Sequence, residues 1–173
     1  MKLVINQNIV DLELSPGRVA LDVLRGRFGL TGVKEGCREG DCGACTILLG
    51  RLHDGRIAYH SVVSCLLPIG DCAGKHLVTI EGLNGPGLNP LQQAFVDEGA
   101  VQCGFCTPGL ILAFTGWLLS APAWDEEEAL LSIAGNICRC TGYLAIRRAV
   151  RRILAGLPAA SAGSRLETLI AAG

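Results

Sequence analysis

The sequence predicts an α+β protein in which a sheet-rich first half precedes an all-helical second half. Three observations support this prediction. Short apolar runs alternate with turn signals over about the first 80 residues, glycine and proline concentrate in Gly82–Pro90, and apolar residues then recur at helical spacing. We therefore divide the chain into residues 1–82, residues 83–158 and a tail of residues 159–173.

The first two strands and the first helix follow from local patterns. Lys2–Asn6 and Val10–Leu14 are β-type runs separated by a polar dipeptide, which predicts a hairpin. Ser15 is a favourable N-cap and a proline follows it, so we expect a helix to start there. Gly29 supplies a stop signal for that helix.

Three further strands complete the first half. They are predicted at Thr46–Leu49, Ile57–Val63 and Leu77–Ile80, and a glycine-rich loop with three cysteines precedes the first of them. The resulting β-β-α-β-β-β order, with a cysteine loop after the helix, predicts a β-grasp, ferredoxin-like domain for residues 1–82.

The second half contains signals for four helices. Leu91–Glu98 is the first, and Pro108–Ser120 is the second, with Thr107 as its N-cap. Asp125 caps the third, and three glutamates follow in the first turn, where the helix dipole favours negative charge. The fourth runs from about residue 142 to residue 155. These elements predict an all-α four-helix domain.

The fourth helix is amphipathic. Ile146, Val150 and Ile153 share one face at i, i+4 and i+7, and Pro158 ends the pattern. The same helix carries four arginines, for which we expect a solvated face, with docking to an acidic partner or a phosphate as the alternative. These are Arg147, Arg148, Arg151 and Arg152.

Eight of the nine cysteines fall into two sets of four. The first cysteine set comprises Cys37, Cys42, Cys45 and Cys65. Its C-x4-C-x2-C run with a distant fourth cysteine is typical of plant-type [2Fe-2S] ligation. Glycines around the run permit positive φ values and bring backbone N–H groups near the sulfurs. A structural zinc site is the alternative, but zinc sites usually show two paired motifs.

The second cysteine set comprises Cys103, Cys106, Cys138 and Cys140, in a C-x2-C pair and a C-x-C pair. This spacing is compatible with zinc or with a cluster. A [4Fe-4S] site is disfavoured because the C-x2-C-x2-C-x3-C run is absent. Each pair precedes a predicted helix, whose N-terminus stabilises an anionic group. The setting therefore favours a second [2Fe-2S] cluster.

A short internal repeat relates the two pairs of the second cysteine set. Residues 106–109 read Cys-Thr-Pro-Gly and residues 140–143 read Cys-Thr-Gly-Tyr, each placed before a predicted helix. This internal repeat predicts two helical hairpins related by a rough two-fold axis, with the four sulfurs meeting on that axis.

The remaining reactive side chains are interpreted as structural. Cys72 is expected to be a small buried or loop residue. The histidines lack ligand partners at useful spacing, and the tryptophans are expected to pack in the core. They are His53, His60, His76, Trp117 and Trp124.

Composition restricts the partners and the compartment. The formal net charge of −1, with no long basic stretch, argues against nucleic-acid binding. The first residues lack the basic and apolar regions of a signal peptide, so we expect a reduced, cytoplasmic chain with metal-bound thiolates. The longest apolar run, Gly109–Leu119, is too short for a membrane span of roughly 20 residues.

Three segments resemble the xanthine dehydrogenase/aldehyde oxidase family of molybdenum hydroxylases. Residues 35–46 (EGCREGDCGACT) resemble its ferredoxin-type motif, and residues 102–109 (QCGFCTPG) and 135–143 (GNICRCTGY) resemble its second-cluster motif. The match spans about residues 2–156. The resemblance implies a plant-type ferredoxin-like β-grasp domain followed by an all-α four-helix domain that holds a second [2Fe-2S] cluster.

The same resemblance implies an electron-transfer subunit with no substrate chemistry of its own. Electrons would pass from the second cysteine set to the first, on the way from molybdopterin in a large subunit to FAD in a medium subunit. The implied complex is a dimer of heterotrimers. Gln102 and Cys140 are implied to lie closest to the pterin.

The alternative is a free-standing ferredoxin-type carrier or a zinc-stapled interaction module. A soluble shuttle needs one cluster and tolerates an exposed surface. The helical second half, a hydrophobic fraction of 50% and the extended tail favour a permanent place in a complex.

Overall fold

One five-stranded sheet organises the protein in a computed structural model, which describes residues 1–85 and 87–156. The strands are β1 (Lys2–Ile5), β2 (Asn8–Asp11), β3 (Thr46–His53), β4 (Arg56–Val63) and β5 (His76–Val78). Their order across the sheet is β2-β1-β5-β3-β4. The β1–β5 pair is parallel and the other neighbouring pairs are antiparallel, so the sheet is mixed.

Five α-helices surround this sheet within the described residues. They are α1 (Ala20–Phe28), α2 (Pro90–Asp97), α3 (Thr107–Ser120), α4 (Glu126–Ser132) and α5 (Leu144–Gly156). Two short 3₁₀ segments, Ile69–Cys72 and Ile80–Leu83, flank β5. None of the helices in the described ranges is both long and apolar enough to cross a membrane.

Both faces of the sheet are covered. Because side chains alternate along a strand, Ile47 and Leu49 of β3 join the core on the α1 side, whereas Leu48 joins the core formed by α2 to α5. Helix α3 packs directly on β3 and β4. A Cβ at Gly116 of α3 would lie 3.0 Å from the backbone nitrogen of Ser61, so glycine permits this close approach.

The α+β class is confirmed, and the strand boundaries shift by a few residues. The first hairpin turns at Asn6 and Gln7, one residue earlier than predicted, with Asn6 in the left-handed region at φ 53°. The β3–β4 hairpin is longer than predicted and turns at Asp54 and Gly55, both with positive φ. This Asp-Gly pair is the usual sequence of a type I′ hairpin turn.

The predicted start of the first helix is wrong. Helix α1 begins at Ala20, and its N-cap Val19 makes no side-chain cap hydrogen bond. The residues after Ser15 instead hold the Ile69–Cys72 segment, since Gly70 N–H donates to the carbonyl of Pro16. The predicted stop is confirmed, because Gly29 ends the helix at φ 65°.

The helices of the second half start differently from the prediction at two places. Cys106, not Thr107, is the N-cap residue of α3. Helix α5 begins at Leu144 because Gly142 and Tyr143 both have positive φ. The predicted cap of α4 is confirmed, since the Asp125 side chain accepts a hydrogen bond from Glu128 N–H at 2.9 Å.

The last helix packs as predicted. Its apolar face, with Ile146, Val150 and Ile153, is buried. Three of its exposed arginines, Arg148, Arg151 and Arg152, form ion pairs with the end of α2 and the start of α4, for example Arg152 with Asp97 at 2.7 Å. Pro158 and the predicted tail lie outside the described residues.

The predicted linker is only partly exposed. Gly82 and Leu83 are buried, whereas Asn84, Gly85, Gly87 and Leu88 are exposed. At its end, Asn89 caps α2 in a capping box with Gln92.

Candidate metal centres

The β3–β4 hairpin brings the first cysteine set together. Cys45 directly precedes β3 and Cys65 follows β4 by two residues. Because Thr46 pairs with Val63, these cysteines lie at the same end of the hairpin. Ser64, between the end of β4 and Cys65, holds these two cysteines close together. Its backbone N–H and its hydroxyl both donate to the carbonyl of Cys45, at 3.2 and 2.8 Å.

The sulfurs of the first cysteine set form two neighbouring pairs. The Glu39 backbone N–H, 3.3 Å from the sulfur, and the adjacent Cys42 lower the pKa of Cys37 to about 6. Burial, together with the neighbouring Cys45 thiol, raises the pKa of Cys65 to about 11. Cys45 and Cys65 are buried, whereas Cys37 and Cys42 are partly exposed.

The loop that carries Cys37 and Cys42 needs its unusual backbone. Gly40 and Gly43 have φ values of 86° and 68°, and Arg38 also has positive φ. A Cβ at Gly36 would lie 2.8 Å from the sulfur of Cys42, so a side chain there would enter the site. The glycines therefore allow the loop to fold closely around the sulfurs.

Arg38 anchors this loop to helix α1. Its guanidinium donates to Glu35 at 2.6 Å and also to Asp22 on α1. The hydrogen bond and charge of Arg38 lower the pKa of Glu35. All three side chains are partly exposed, so the clamp orders the loop more than it stabilises the fold.

Helix starts and a tight loop bring the second cysteine set together. Cys106 is the N-cap of α3, and Cys138 and Cys140 lie in the connection between α4 and α5. The sulfurs of Cys103 and Cys140 are 3.6 Å apart and exposed. Cys106 and Cys138 are buried, and burial, followed by the Cys138 thiol, raises the pKa of Cys106 to about 12. The sulfurs of this set therefore also form two pairs, Cys103 with Cys140 and Cys106 with Cys138.

Tyr143 and Thr141 fix the loop around Cys138. The Tyr143 hydroxyl accepts a hydrogen bond from Cys138 N–H at 2.7 Å, and Tyr143 N–H donates to the Thr141 hydroxyl at 3.2 Å. That hydroxyl lies 3.2 Å from the sulfur of Cys138. Burial opposes ionisation of Cys138, but hydrogen bonds from Thr141 and backbone N–H groups lower its pKa to about 7.

The two cysteine sets are connected by two hydrogen bonds. Ile137 N–H donates to the carbonyl of Cys42 at 3.0 Å, and the side-chain amide of Asn136 donates to the carbonyl of Gly43 at 2.8 Å. Asn136 is buried. A Cβ at Gly109 would lie 2.4 Å from the oxygen of Gly43, so only glycine fits there. Sequence reasoning missed these contacts, although Asn136 and Gly109 lie in the cysteine motifs.

The side chains predicted to be structural belong to neither cysteine set and lie in or against the two cores, on the β3–β4 hairpin or on β5. Cys72 is fully buried in the core on the α1 side, and burial raises its pKa to about 11. His53 and His60 are exposed on the β3–β4 hairpin. His76 hydrogen-bonds Tyr59 through Nδ1 at 2.8 Å. The tryptophans pack against the helical core, with Trp117 stacked on Phe114. Gln102 is exposed beside Cys103.

Each set offers four cysteine thiols, which are the ligands that iron–sulfur clusters and other thiophilic metal sites take. The hydroxyl of Thr107, next to Cys106, is buried with no hydrogen-bond partner within residues 1–85 and 87–156. A buried donor without an acceptor costs about 1–3 kcal/mol, so an acceptor at this site would satisfy it.

Two family matches divide the chain. Residues 3–69 match the family described as 2Fe-2S iron-sulfur cluster binding domain, and residues 79–151 match the [2Fe-2S] binding domain. Each match contains one of the two cysteine sets.

Known proteins of two lengths resemble the chain. The nicotinate dehydrogenase small FeS subunit of Eubacterium barkeri is 41% identical over 155 residues, covering 87% of this chain and 94% of that protein. Xanthine dehydrogenase of Blastobotrys adeninivorans is 40% identical over 149 residues, covering 83% of this chain but 10% of that protein. The chain thus spans nearly all of the small subunit and about a tenth of the long enzyme.

A solved structure shares both the fold and the sequence. The crystal structure of quinoline 2-oxidoreductase from Pseudomonas putida 86 superimposes with a TM-score of 0.76 at 37% identity, covering 90% of this chain and 93% of that chain.

Proposed function

Because the chain belongs to the xanthine dehydrogenase/aldehyde oxidase family of molybdenum hydroxylases, as its small iron–sulfur subunit, we propose that it transfers single electrons between partner subunits. The observation that carries the proposal is the contact between two four-cysteine sites, each within its own [2Fe-2S] domain. Substrate chemistry belongs to a different polypeptide, so this chain contributes no catalytic residue.

The proposal assigns one [2Fe-2S] cluster to each cysteine set. Such clusters take four cysteine thiolates, and the paired sulfurs of each set match two thiolates on each of two irons. When bound, each cluster supplies a one-electron redox centre. The chain's own residues provide the thiolates, the N–H and O–H donors around them, and limited access for water.

The exposed sulfurs indicate where the partners lie. Cys103 and Cys140 face the surface, so we place the molybdopterin of the large subunit on that side, with Gln102 beside it. Large apolar side chains within four positions of these cysteines in sequence are also exposed, as expected for a covered interface. They are Val101, Phe105, Ile137 and Leu144.

The first cysteine set lies on the way to the FAD of the medium subunit. Its partly exposed members, Cys37 and Cys42, would face that subunit. The hydrogen bond from Ile137 N–H to the Cys42 carbonyl supplies the shortest bonded connection from Cys138 back to Cys42. We propose this connection as the link between the two redox centres.

The finer organisation of the complex is part of the same proposal. Residues 1–82 would form the ferredoxin-like domain and residues 83–158 an all-α four-helix domain, in which α2 to α5 share one apolar core. The complex would be a dimer of heterotrimers. Because eight of the nine cysteines are assigned to clusters and need a reducing compartment to stay free of disulfides, we place the complex in the cytoplasm.

Metal analysis of the anaerobically purified complex tests the function. We expect about four irons and four acid-labile sulfides per small subunit, flavin and molybdenum on co-purifying chains, and two distinguishable S = 1/2 EPR signals on reduction. A single signal, or zinc in place of iron, would contradict the proposal. A chain that purifies alone with both clusters would favour a free-standing carrier.

A further inference from the structure

Thr107 and Thr141 directly follow Cys106 and Cys140. The Thr107 hydroxyl is buried without a hydrogen-bond partner in the described ranges, and the Thr141 hydroxyl contacts the sulfur of Cys138. The two threonines occupy equivalent positions in the internal repeat, since each directly follows a cysteine of the second set. Resting on the proposed function, we propose that Thr107 and Thr141 are a pair of hydroxyl donors that raise the reduction potential of the second cluster.

The geometry determines the direction of the Thr141 hydrogen bond. Its oxygen already accepts a hydrogen bond from Tyr143 N–H at 3.2 Å. The oxygen also lies 3.2 Å from the sulfur of Cys138. An iron-bound thiolate carries no proton, so the threonine hydroxyl must be the donor in this contact. Tyr143 therefore orients the hydroxyl toward the sulfur.

Thr107 supplies an independent observation. Its hydroxyl is buried and has no hydrogen-bond partner within the described ranges, although it directly follows Cys106. The buried threonine Thr115, two turns further along α3, is satisfied: its hydroxyl donates to the carbonyl of Ile111 at 2.7 Å. A native protein pays for an orphaned buried hydroxyl unless an acceptor is present, and a cluster sulfur is the acceptor chemistry at this site.

The sign of the effect follows from charge. Reduction adds one negative charge to the cluster, so a hydrogen-bond donor stabilises the reduced state more than the oxidised state. Removing either hydroxyl should lower the midpoint potential. Thr→Val replaces the hydroxyl with a methyl group of similar size and removes the donor.

EPR-monitored redox titration of the loaded complex tests the pair. In Thr107→Val and in Thr141→Val, we expect the ratio of reduced to oxidised second cluster at a fixed potential to fall roughly threefold to tenfold, where tenfold corresponds to 59 mV. Thr107→Ser and Thr141→Ser should keep the wild-type potential. The signal of the first cluster serves as an internal reference and should not shift.

Thr115→Val is the matched control, because it removes a buried hydroxyl of the same helix that donates to the Ile111 carbonyl. The proposal would be overturned if either Thr107→Val or Thr141→Val, with full iron content, gave the same midpoint potential of the second cluster as Thr115→Val. A valine variant that lacks the second cluster while its serine counterpart is loaded would also overturn it, by assigning the hydroxyl to assembly. Wild-type complex without two EPR signals would instead contradict the proposed function.

Discussion

The two cysteine sets each contain four sulfurs, but different secondary-structure elements position them. The first set stands at the end of a β-hairpin, and a glycine-rich loop brings backbone N–H groups to it, such as Glu39 N–H at 3.3 Å from Cys37. The second set stands at helix starts, and the hydroxyl of Thr141 reaches Cys138. Backbone N–H groups act on sulfurs at both sites, and at the second site a side-chain hydroxyl joins them.

This difference has a consequence for exposure. The sheet and α1 cover part of the first set, so its least covered sulfurs remain partly buried. The second set leaves Cys103 and Cys140 exposed. We therefore expect the first site to be complete within this chain and the second to depend on a covering subunit.

The largest expected effect comes from removing one thiolate of either set. Cys138→Ser should abolish the second cluster and cut the iron content by about half, with the first EPR signal retained, because each set is independent. Cys45→Ser should give the reciprocal result. Iron analysis and EPR of the complex measure both.

Cys72→Ser is the control for this comparison, since Cys72 is a buried cysteine of the α1-side core that belongs to neither set. It should keep its full iron content. If Cys138→Ser also removed the first signal, or left the iron content unchanged, the separation of the two sites would be refuted.

The contact between the sites is the next most sensitive point. Gly109→Ala would place a methyl group 2.4 Å from the carbonyl oxygen of Gly43, a backbone atom that cannot move alone. Overpacking of this kind costs about 1–3 kcal/mol. We expect a lower thermal midpoint and a weaker magnetic interaction between the two reduced clusters.

Gly135→Ala is the matched control for this substitution. A Cβ there meets nothing within 4 Å, and the residue lies in the same region. Its unfolding curve and EPR spectrum should match wild type. A wild-type result for Gly109→Ala would show that the two loops can separate without cost.

An effect of similar size, but confined to the second site, is expected from Tyr143→Phe. The change keeps the ring but removes the acceptor of Cys138 N–H at 2.7 Å, which costs about 1–3 kcal/mol when that N–H stays unsatisfied. Stability should fall, measured by denaturant unfolding of the loaded complex, and the second EPR signal alone should change. Effects on both signals equally would argue against side-chain control of the second site. Asn8→Ala, at an exposed site on β2, is the reference.

The smallest effect concerns Cys72. Burial raises its pKa to about 11 from 9.0, so the folded state favours the neutral thiol. That contribution to stability is complete below about pH 9 and is lost as the pH rises through 11. At pH 8, iodoacetamide should leave Cys72 unmodified in the native protein and alkylate it in urea, as measured by mass spectrometry. Rapid native labelling would contradict the burial.

Local spacing predicted much of the fold. The Gly29 stop, the Asp125 cap and the buried face of α5 depend on neighbours along the chain, and all three are confirmed. The start of α1 was predicted wrongly because Pro16 pairs with Gly70, a residue far away in sequence. Propensity at Ser15 was overridden by this tertiary contact.

The sequence by itself determined the two cysteine sets and their glycines, because ligand type and spacing are properties of the chain. The tertiary structure decided which loops meet. Asn136 reaches Gly43 across 93 positions, and Ile137 N–H donates to the carbonyl of Cys42. Contacts of this kind depend on how helices pack on the sheet, and packing follows from the whole set of buried side chains.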